Sequence, residues 1–275
     1  ELQVVPTAGS GDNLALLDSG AAQLAMVQGI HTRPRAGASA AAAALADLRS
    51  ITMLWPDIVH VVLRADLADT GTIQDIARLG AAPIAIGRPD SGAMLSTTAL
   101  LVSVGIEPAH LNVVDVGGYD AIAQAFESGQ IMAGSLLGGA PMAALTRAMS
   151  GSDGALMLLS FKEEQITAAN ARFGVLWMPR LLPAGTYPGQ DRDVSTIAEP
   201  NALIARADMP EEDVYLLTKA IFSNLTFLGN MHPAAAEITI EGAFAGMAIP
   251  LHPGAARYFA EIGLAIPEAL QPPVD

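Results

Sequence analysis

Short apolar, β-rich runs alternate with longer helix-patterned stretches along almost the whole chain. This alternation is typical of βαβ units, in which a strand, a crossover helix and a parallel strand follow one another. The predicted strands are Leu2–Val5, Leu24–Val27, Ile51–Leu54, Ile58–Arg64, Pro83–Ile86, Leu111–Val114, Ile131–Ala133, Ala155–Leu159 and Ala202–Ala205. The predicted helices are Asn13–Ser19, Ala38–Leu48, Thr72–Leu79, Gly92–Val104, Tyr119–Ser128, Pro141–Met149, Glu163–Asn170 and Pro210–Leu228. The sequence therefore predicts an α/β fold.

Two places in the sequence indicate a division into lobes. The runs on either side of Trp55-Pro56-Asp57 resemble a strand that leaves one lobe, and Thr196–Arg206 resembles its return. We expect residues 1–82 with 198–275 to form one lobe and residues 83–197 to form an inserted second lobe. One large doubly wound sheet would give a similar pattern and stays an alternative.

The composition excludes several classes of protein. With 275 residues, of which 51% are hydrophobic and 15% charged, the chain can bury a large core and is not expected to be disordered. The mean hydropathy is +0.39, yet no run reaches the roughly 18 apolar residues that a membrane-spanning helix needs. A net charge of −14 repels phosphate backbones, so no nucleic-acid partner is expected. Without cysteine there is no disulfide, thiol catalyst or cysteine-bound zinc.

Catalytic signatures are missing from the sequence. It contains no dinucleotide or phosphate-binding glycine fingerprint, no H-E-x-x-H and no G-x-S-x-G. His232-Pro233 and His252-Pro253 read as helix starts, and the acids Glu211–Asp213 read as first-turn residues that complement a helix dipole. We expect no catalytic residue, no cofactor and no metal site, because metal-ligand spacing is absent from the five histidines, His31, His60, His110, His232 and His252.

Four small, glycine-containing loops lie just before predicted helices: Thr7–Asn13, Gly87–Gly92, Gly117–Tyr119 and Ser135–Pro141. In open α/β folds such loops lie at the carboxyl ends of strands, where ligands bind. Their free backbone N–H groups and the positive ends of the helices can hold an anion without a buried lysine. Each loop alone is also explained by a helix cap with glycine for the turn. The four together favour a binding cleft.

Several strings are more specific than periodicity. They are Leu182–Gln190, Ala207–Pro210 with the helix that follows, and Ile249–Phe259. Upstream, Gly9–Gly20 and Ala25–Gln28 fit the same order. These strings resemble the TAXI family of solute-binding proteins of TRAP transporters, and the resemblance covers nearly the whole chain.

The resemblance implies a periplasmic-binding-protein fold of the second structural class, with two α/β lobes and a cleft between them. It implies a periplasmic or otherwise extracytoplasmic protein that captures a small carboxylate-bearing solute, either a glutamate-like amino acid or a dicarboxylate. Capture would proceed by hinge closure, and the membrane subunits of the TRAP transporter would recognise the closed form. A ligand-sensing module of a signalling protein and an enzyme on the same fold stay alternatives.

The expected ligand site draws on both lobes. Trp55 and Tyr187 would form aromatic walls of this site, although tryptophan and tyrosine are also common core residues. Gln28 could contact the ligand or could equally satisfy a buried backbone group. Arg64, followed by Asp66, is expected to form a local surface pair, which leaves Arg88 as the candidate carboxylate clamp. The predicted ligand-binding residues are Ser10, Asn13, Gln28, Trp55, Arg88, Ser91, Gly92, Ser135 and Tyr187.

The chain departs from the family pattern in two places. Family members begin with a glycine-rich strand and loop ahead of the segment that starts here, so the first strand-helix unit and its pocket-lining loop are expected to be missing. Nothing resembles a signal peptide. Asp90–Ala93 replaces the family's Gly-Ser-Gly-Thr, and an acid there disfavours a bare anion unless Arg88 pairs with it. Ile266–Asp275 resembles members in which a C-terminal membrane segment follows, which implies a membrane anchor.

Overall fold

The computed structural model describes residues 2–33 and 45–273, and it confirms the predicted α/β class. The helices are α1 (Ser10–Asp18), α2 (Gly92–Ser103), α3 (Tyr119–Glu127), α4 (Ala143–Gly151), α5 (Glu163–Phe173), α6 (Glu211–Ser223), α7 (Leu225–Met231) and α8 (Pro253–Glu261). The strands are β1 (Leu24–Gln28), β2 (Leu48–Arg64), β3 (Pro83–Ala85), β4 (Asn112–Val113), β5 (Ala133–Gly138), β6 (Leu156–Leu158), β7 (Met178–Leu182) and β8 (Val194–Arg206).

The chain divides into two compact units. Unit 1 comprises Glu1–Pro56 and Pro200–Asp275, and unit 2 comprises Asp57–Glu199. The first boundary therefore lies after Pro56, whereas the sequence placed it after residue 82. The reason is that the two strands expected on either side of Pro56 form the single strand β2, whose second half pairs with β5 of unit 2.

In unit 1, β1 pairs antiparallel with the second half of β8, with Leu24 opposite Ala205. The first half of β2 bonds to the C-terminal part of the same unit, where the Ser50 amide donates to the Pro250 carbonyl at 2.8 Å. Helices α6 and α8 pack against each other. The apolar interior includes Leu17, Ile51, Met53, Ile204 and Phe259.

The start of α8 follows the sequence prediction. His252 Nδ1 accepts a hydrogen bond from the Gly254 amide at 3.2 Å, and proline occupies the first turn. A Cβ on Gly254 would overlap the Glu211 carbonyl of α6, so glycine permits the close approach of the two helices. The long helix predicted over Pro210–Leu228 is interrupted at Asn224, whose backbone is not helical, and the chain continues as α7.

In unit 2, β5 pairs antiparallel with the second half of β2 and parallel with β3, and β3 pairs parallel with β4. β6 pairs with β2, and β7 pairs with the first half of β8. Because β3, β4 and β5 run parallel, their carboxyl ends meet at the same edge of the sheet. The helices of unit 2 are α2, α3, α4 and α5.

Some predicted elements differ from the structure. The expected strand Leu2–Val5 is exposed and irregular, and no strand of the described residues pairs with it. The expected helix Thr72–Leu79 is a 3-10 helix, Ile73–Arg78. The expected helix Ala38–Leu48 lies largely outside the described residues, and Leu48 begins β2. Strand β7 was not predicted. Within the described residues no helix combines the length and the apolar character needed to cross a membrane.

Candidate functional site

Three of the four predicted glycine-containing loops come together at one edge of unit 2. They follow β3, β4 and β5, and they lead into α2, α3 and α4. A Cβ on Gly118 would lie 3.8 Å from Arg88 Cδ, so the arginine side chain passes close to the neighbouring loop. The sheet topology thus places Arg88, Ser91 and Gly92 beside two further helix starts.

The N-terminus of α2 is capped by Ser91. Its Oγ accepts from the Met94 amide at 3.2 Å and donates to the Arg88 carbonyl at 2.7 Å. A Cβ on Gly87, whose φ is +114°, would lie 2.6 Å from the Met94 nitrogen, so this turn requires glycine. Gly87 and Ser91, both part of the loop predicted from the sequence, therefore fix its geometry.

The first turn of α2 offers two backbone donors. The first N–H groups of an α-helix have no acceptor within the helix. Among the described residues, the Met94 amide donates to Ser91, while the amides of Gly92 and Ala93 have no acceptor. This first turn contains no acid, although Asp90 lies exposed just before it with φ +60°. The helix end can therefore hold an anionic group.

In unit 1 the first residues of α1 use their polar side chains within the unit. Ser10 Oγ accepts from the Gln28 amide at 3.1 Å, and Asn13 Nδ2 donates to the Met26 carbonyl at 2.7 Å. Asp12, in the first turn, accepts from the Ala8 amide at 3.0 Å. The structure thus brings Ser10, Asn13 and Gln28 together, and these contacts hold α1 against β1.

Three other predicted ligand residues lie in or against the cores of their units. Trp55 is half-buried against the unit 1 core. Ser135 and Tyr187 are only 1% and 2% exposed. Ser135 Oγ lies 2.8 Å from Thr97 Oγ1. A direct contact of Ser135 or Tyr187 with a ligand would require them to become exposed, and for all three residues ligand contact stays a prediction.

The sequence did not predict one cluster of buried polar groups in unit 2. The Tyr187 hydroxyl lies 2.8 Å from His60 Nε2 and accepts from the Met142 amide at 3.0 Å. Burial lowers the pKa of His60 to about 4. His60 entered the sequence analysis only as one of five scattered histidines. No local signal could have joined residues 127 positions apart.

Arg64 forms the predicted local pair. Its guanidinium donates twice to the Asp66 carboxylate, at 3.0 and 2.9 Å, and these hydrogen bonds lower the pKa of Asp66. Elsewhere in the described part of the chain, no three His, Asp or Glu side chains are placed to hold a metal ion.

A family model described as the NMT1-like family matches residues 1–263. The chain belongs to the NMT1-like family. Among solved structures, this NMT1-like chain is similar to a protein of Bordetella bronchiseptica RB50. The alignment covers 97% of this chain and 73% of that one, at 15% identity and a TM-score of 0.52.

A Xanthomonas citri protein bound to ATP aligns over 94% of the NMT1-like chain and 87% of its own, at 11% identity and a TM-score of 0.52. The same protein bound to a chloride ion gives a TM-score of 0.51, at 10% identity over 92% of this chain and 84% of that one. The periplasmic aliphatic sulphonate binding protein of Escherichia coli gives 0.48, at 14% identity over 92% and 70%. The chain thus shares its α/β fold with the Bordetella bronchiseptica and Xanthomonas citri proteins.

Proposed function

We propose that the chain is the extracytoplasmic solute-binding protein of a TRAP-type transporter, of the TAXI kind, and that it does no chemistry on its ligand. The ligand is a small carboxylate-bearing solute, either a glutamate-like amino acid or a dicarboxylate. The membrane subunits of the transporter are the expected partners, with a membrane tether on the binding protein as a further expectation.

The observation that carries this proposal is the edge of unit 2 where three loops follow parallel strands. There the amides of Gly92 and Ala93, two buried residues, have no acceptor among the described residues, and the first turn of α2 has no acid of its own. A carboxylate accepting both N–H groups would gain charge-assisted hydrogen bonds and the favourable helix dipole. Arg88, exposed beside Gly118, supplies a guanidinium for the same group.

The other predicted site residues are proposed to contact the ligand or to support the site. Ser10, Asn13 and Gln28 of unit 1 are proposed as ligand contacts on the N-terminal side of α1. Trp55 is proposed as an aromatic wall. Ser135 and Tyr187 lie beneath the loops of unit 2 and are proposed to support the ligand site from within.

The solved relatives of this fold support an anionic ligand. The Xanthomonas citri protein has been solved with ATP and with chloride, both of which are anions. Neither is a carboxylate, so the choice of carboxylate rests on the resemblance to the TAXI family and on the geometry of α2.

The test is the thermal melting of the purified chain with L-glutamate, succinate, 2-oxoglutarate and related carboxylates. A ligand at about 100 times its dissociation constant adds roughly 2.7 kcal/mol to stability. We expect a clear rise in Tm with at least one carboxylate, and NMR of the incubated ligand should show it unchanged. Absence of any rise across the panel, or conversion of a ligand, would contradict the proposal.

A further inference from the structure

The interior of unit 2 contains a polar group that bridges three segments distant in sequence. His60 lies on β2, Tyr187 on the loop between β7 and β8, and Met142 just before α4. The His60 and Tyr187 rings meet edge to face, with centroids 5.5 Å apart. Within the described residues, the bond from the Met142 amide to the Tyr187 hydroxyl is the direct polar link between the Tyr187 loop and the start of α4.

The direction of the hydrogen bond between Tyr187 and His60 depends on the tautomer of the histidine. The Tyr187 oxygen accepts from the Met142 amide and keeps a second lone pair, so the hydroxyl either donates to His60 Nε2 or accepts a second hydrogen from it. Either neutral tautomer of His60 keeps the bond between the Tyr187 hydroxyl and the Met142 amide. The low pKa of His60, about 4, is consistent with a neutral ring at ordinary pH.

Tyr187 is itself held by a tightly bonded turn. Gln190 Oε1 accepts from the Tyr187 amide at 3.2 Å, and Gln190 Nε2 donates to the carbonyls of Leu182, Pro183 and Arg192. The Gln190 side chain is 7% exposed. The turn therefore presents the phenol in one orientation, and β2 fixes the histidine on the other side.

The loop that receives the phenol is the one after β5. Pro141 has no N–H, so the Met142 amide is the last donor of this loop before α4 begins. A Cβ on Gly138 would lie 3.0 Å from Met142 Cε, so the methionine side chain folds back over the start of the loop. The Met142 amide is thus the point at which the interior of unit 2 anchors the loop.

We propose that Tyr187 and His60 are positioning residues that hold the Gly138–Met142 loop in its binding geometry through the bond between the Tyr187 hydroxyl and the Met142 amide. The treatment of this loop as a ligand loop rests on the proposed function. The two residues act on the ligand site from within the unit, through this loop.

The first test needs no ligand. Amide hydrogen exchange is measured by NMR on the full chain and on Tyr187→Phe, which keeps the ring and removes the hydroxyl. We expect exchange at Met142 to become at least tenfold faster, with Leu137 unchanged. The Tyr119 hydroxyl accepts from the Leu137 amide at 2.9 Å, so Tyr119→Phe is the matched control and should give the opposite pattern.

The histidine is tested by its substitutes. His60→Gln keeps both a donor and an acceptor for the phenol and should leave Met142 exchange within about threefold of wild type, whereas His60→Leu should accelerate it. Unchanged Met142 exchange in Tyr187→Phe, or equal acceleration across all of unit 2, would overturn the positioning role.

The second test uses L-glutamate as the probe. Tyr187→Phe should weaken glutamate binding at least fivefold, while Tyr258→Phe, which removes a buried hydroxyl in unit 1, should leave it within twofold. Equal affinities for wild type and Tyr187→Phe would contradict the link to binding. If wild type fails to bind any carboxylate, the proposed function fails, but the exchange measurement still decides whether Tyr187 positions the loop.

Discussion

Both units have an apolar core, but they differ in where aromatic rings cluster and where buried polar side chains join distant segments. In unit 1 the rings of Phe222, Phe244, Tyr258 and Phe259 pack on one another, with centroid distances of 4.8 to 5.9 Å. In unit 2 buried hydrogen bonds join strands to loops, as at His60 and Tyr187. Apolar packing is not directional, whereas hydrogen bonds are. Unit 2 therefore has the interior better suited to fixing loop geometry, and its loops form the candidate site.

The two helix starts show the same contrast on a smaller scale. At α2 the serine caps its own helix, and the first-turn amides of Gly92 and Ala93 have no acceptor among the described residues. At α1 the serine binds the Gln28 amide of β1, and Asp12 supplies an acid to the first turn. Two similar glycine-serine loops thus differ in what they leave available to an anion.

The largest expected effect is in the aromatic interior of unit 1. Phe259 is fully buried, so Phe259→Ala should lower the free energy of unfolding by about 3–5 kcal/mol through lost burial and a cavity. Chemical denaturation measures it. Phe227 is 61% exposed, and Phe227→Ala should change stability by less than about 0.5 kcal/mol. Similar losses for both would mean that unit 1 is not held by this interior.

The next effect is an acid sensitivity of unit 2. Burial lowers the pKa of His60 from 6.5 to about 4, so the unfolded chain binds this proton first as pH falls. The contribution of neutral His60 to the free energy of unfolding is fully present above pH 6.5. It falls by about 3 kcal/mol as the pH is lowered to 4. Chemical denaturation of wild type and of His60→Gln, each at pH 6.5 and pH 4, separates the contribution of His60 from that of the other titrating groups. A wild-type decline no steeper than that of His60→Gln would contradict this role of His60.

A smaller effect is expected at Asp75, 1% exposed in unit 2. Its carboxylate accepts from the amides of Asp69, Thr70 and Gly71 and from the Thr70 hydroxyl. Burial raises its pKa, but these donors outweigh burial and lower it. Asp75→Ala should cost about 2 kcal/mol because three amides lose their acceptor. Asp75→Asn, which keeps one acceptor, should cost less, and equal costs would count against these bonds.

The smallest effect is the cap of α2. Ser91→Ala should lower stability by about 1 kcal/mol, because the Met94 amide loses its acceptor. Ser91→Asp keeps a capping oxygen and should restore most of the loss. Calorimetric Tm values for the three proteins decide the point. An alanine variant as stable as wild type would show that the cap adds nothing.

The sequence predicted best those features of the fold that depend on local signals. The starts of α6 and α8 follow from acids, histidine and proline within a few residues, and the loop at Ser91 follows from Gly87 and its neighbours. The α/β class follows from periodicity over the whole chain. Each of these features depends on residues close together in sequence.

The features that sequence did not reveal depend on distant partners. β2 continues through Pro56 because β5 and β8 lie beside it, so the first unit boundary was placed too late. Tyr187 was predicted as a ligand-binding residue, but the contacts of its hydroxyl with His60 and the Met142 amide join segments that are distant in sequence. Of the candidate site, the loops could be predicted, but not the residues that support them from beneath.

The most direct test of the account removes one backbone donor from α2. Gly92 is the first residue of the helix, where proline is tolerated, and Ser91 has φ −77° and ψ 155°, which suits a residue before proline. Glu163→Pro makes the same change at the start of α5, after Lys162 with φ −85° and ψ 154°. The probe is the carboxylate that raises Tm most in the panel, titrated by calorimetry.

The account predicts that Gly92→Pro weakens binding of this carboxylate at least tenfold, because one charge-assisted hydrogen bond is lost, while Glu163→Pro binds within twofold of wild type. Wild-type affinity in a folded Gly92→Pro protein would show that the N-terminus of α2 does not hold the ligand, and would contradict the central claim.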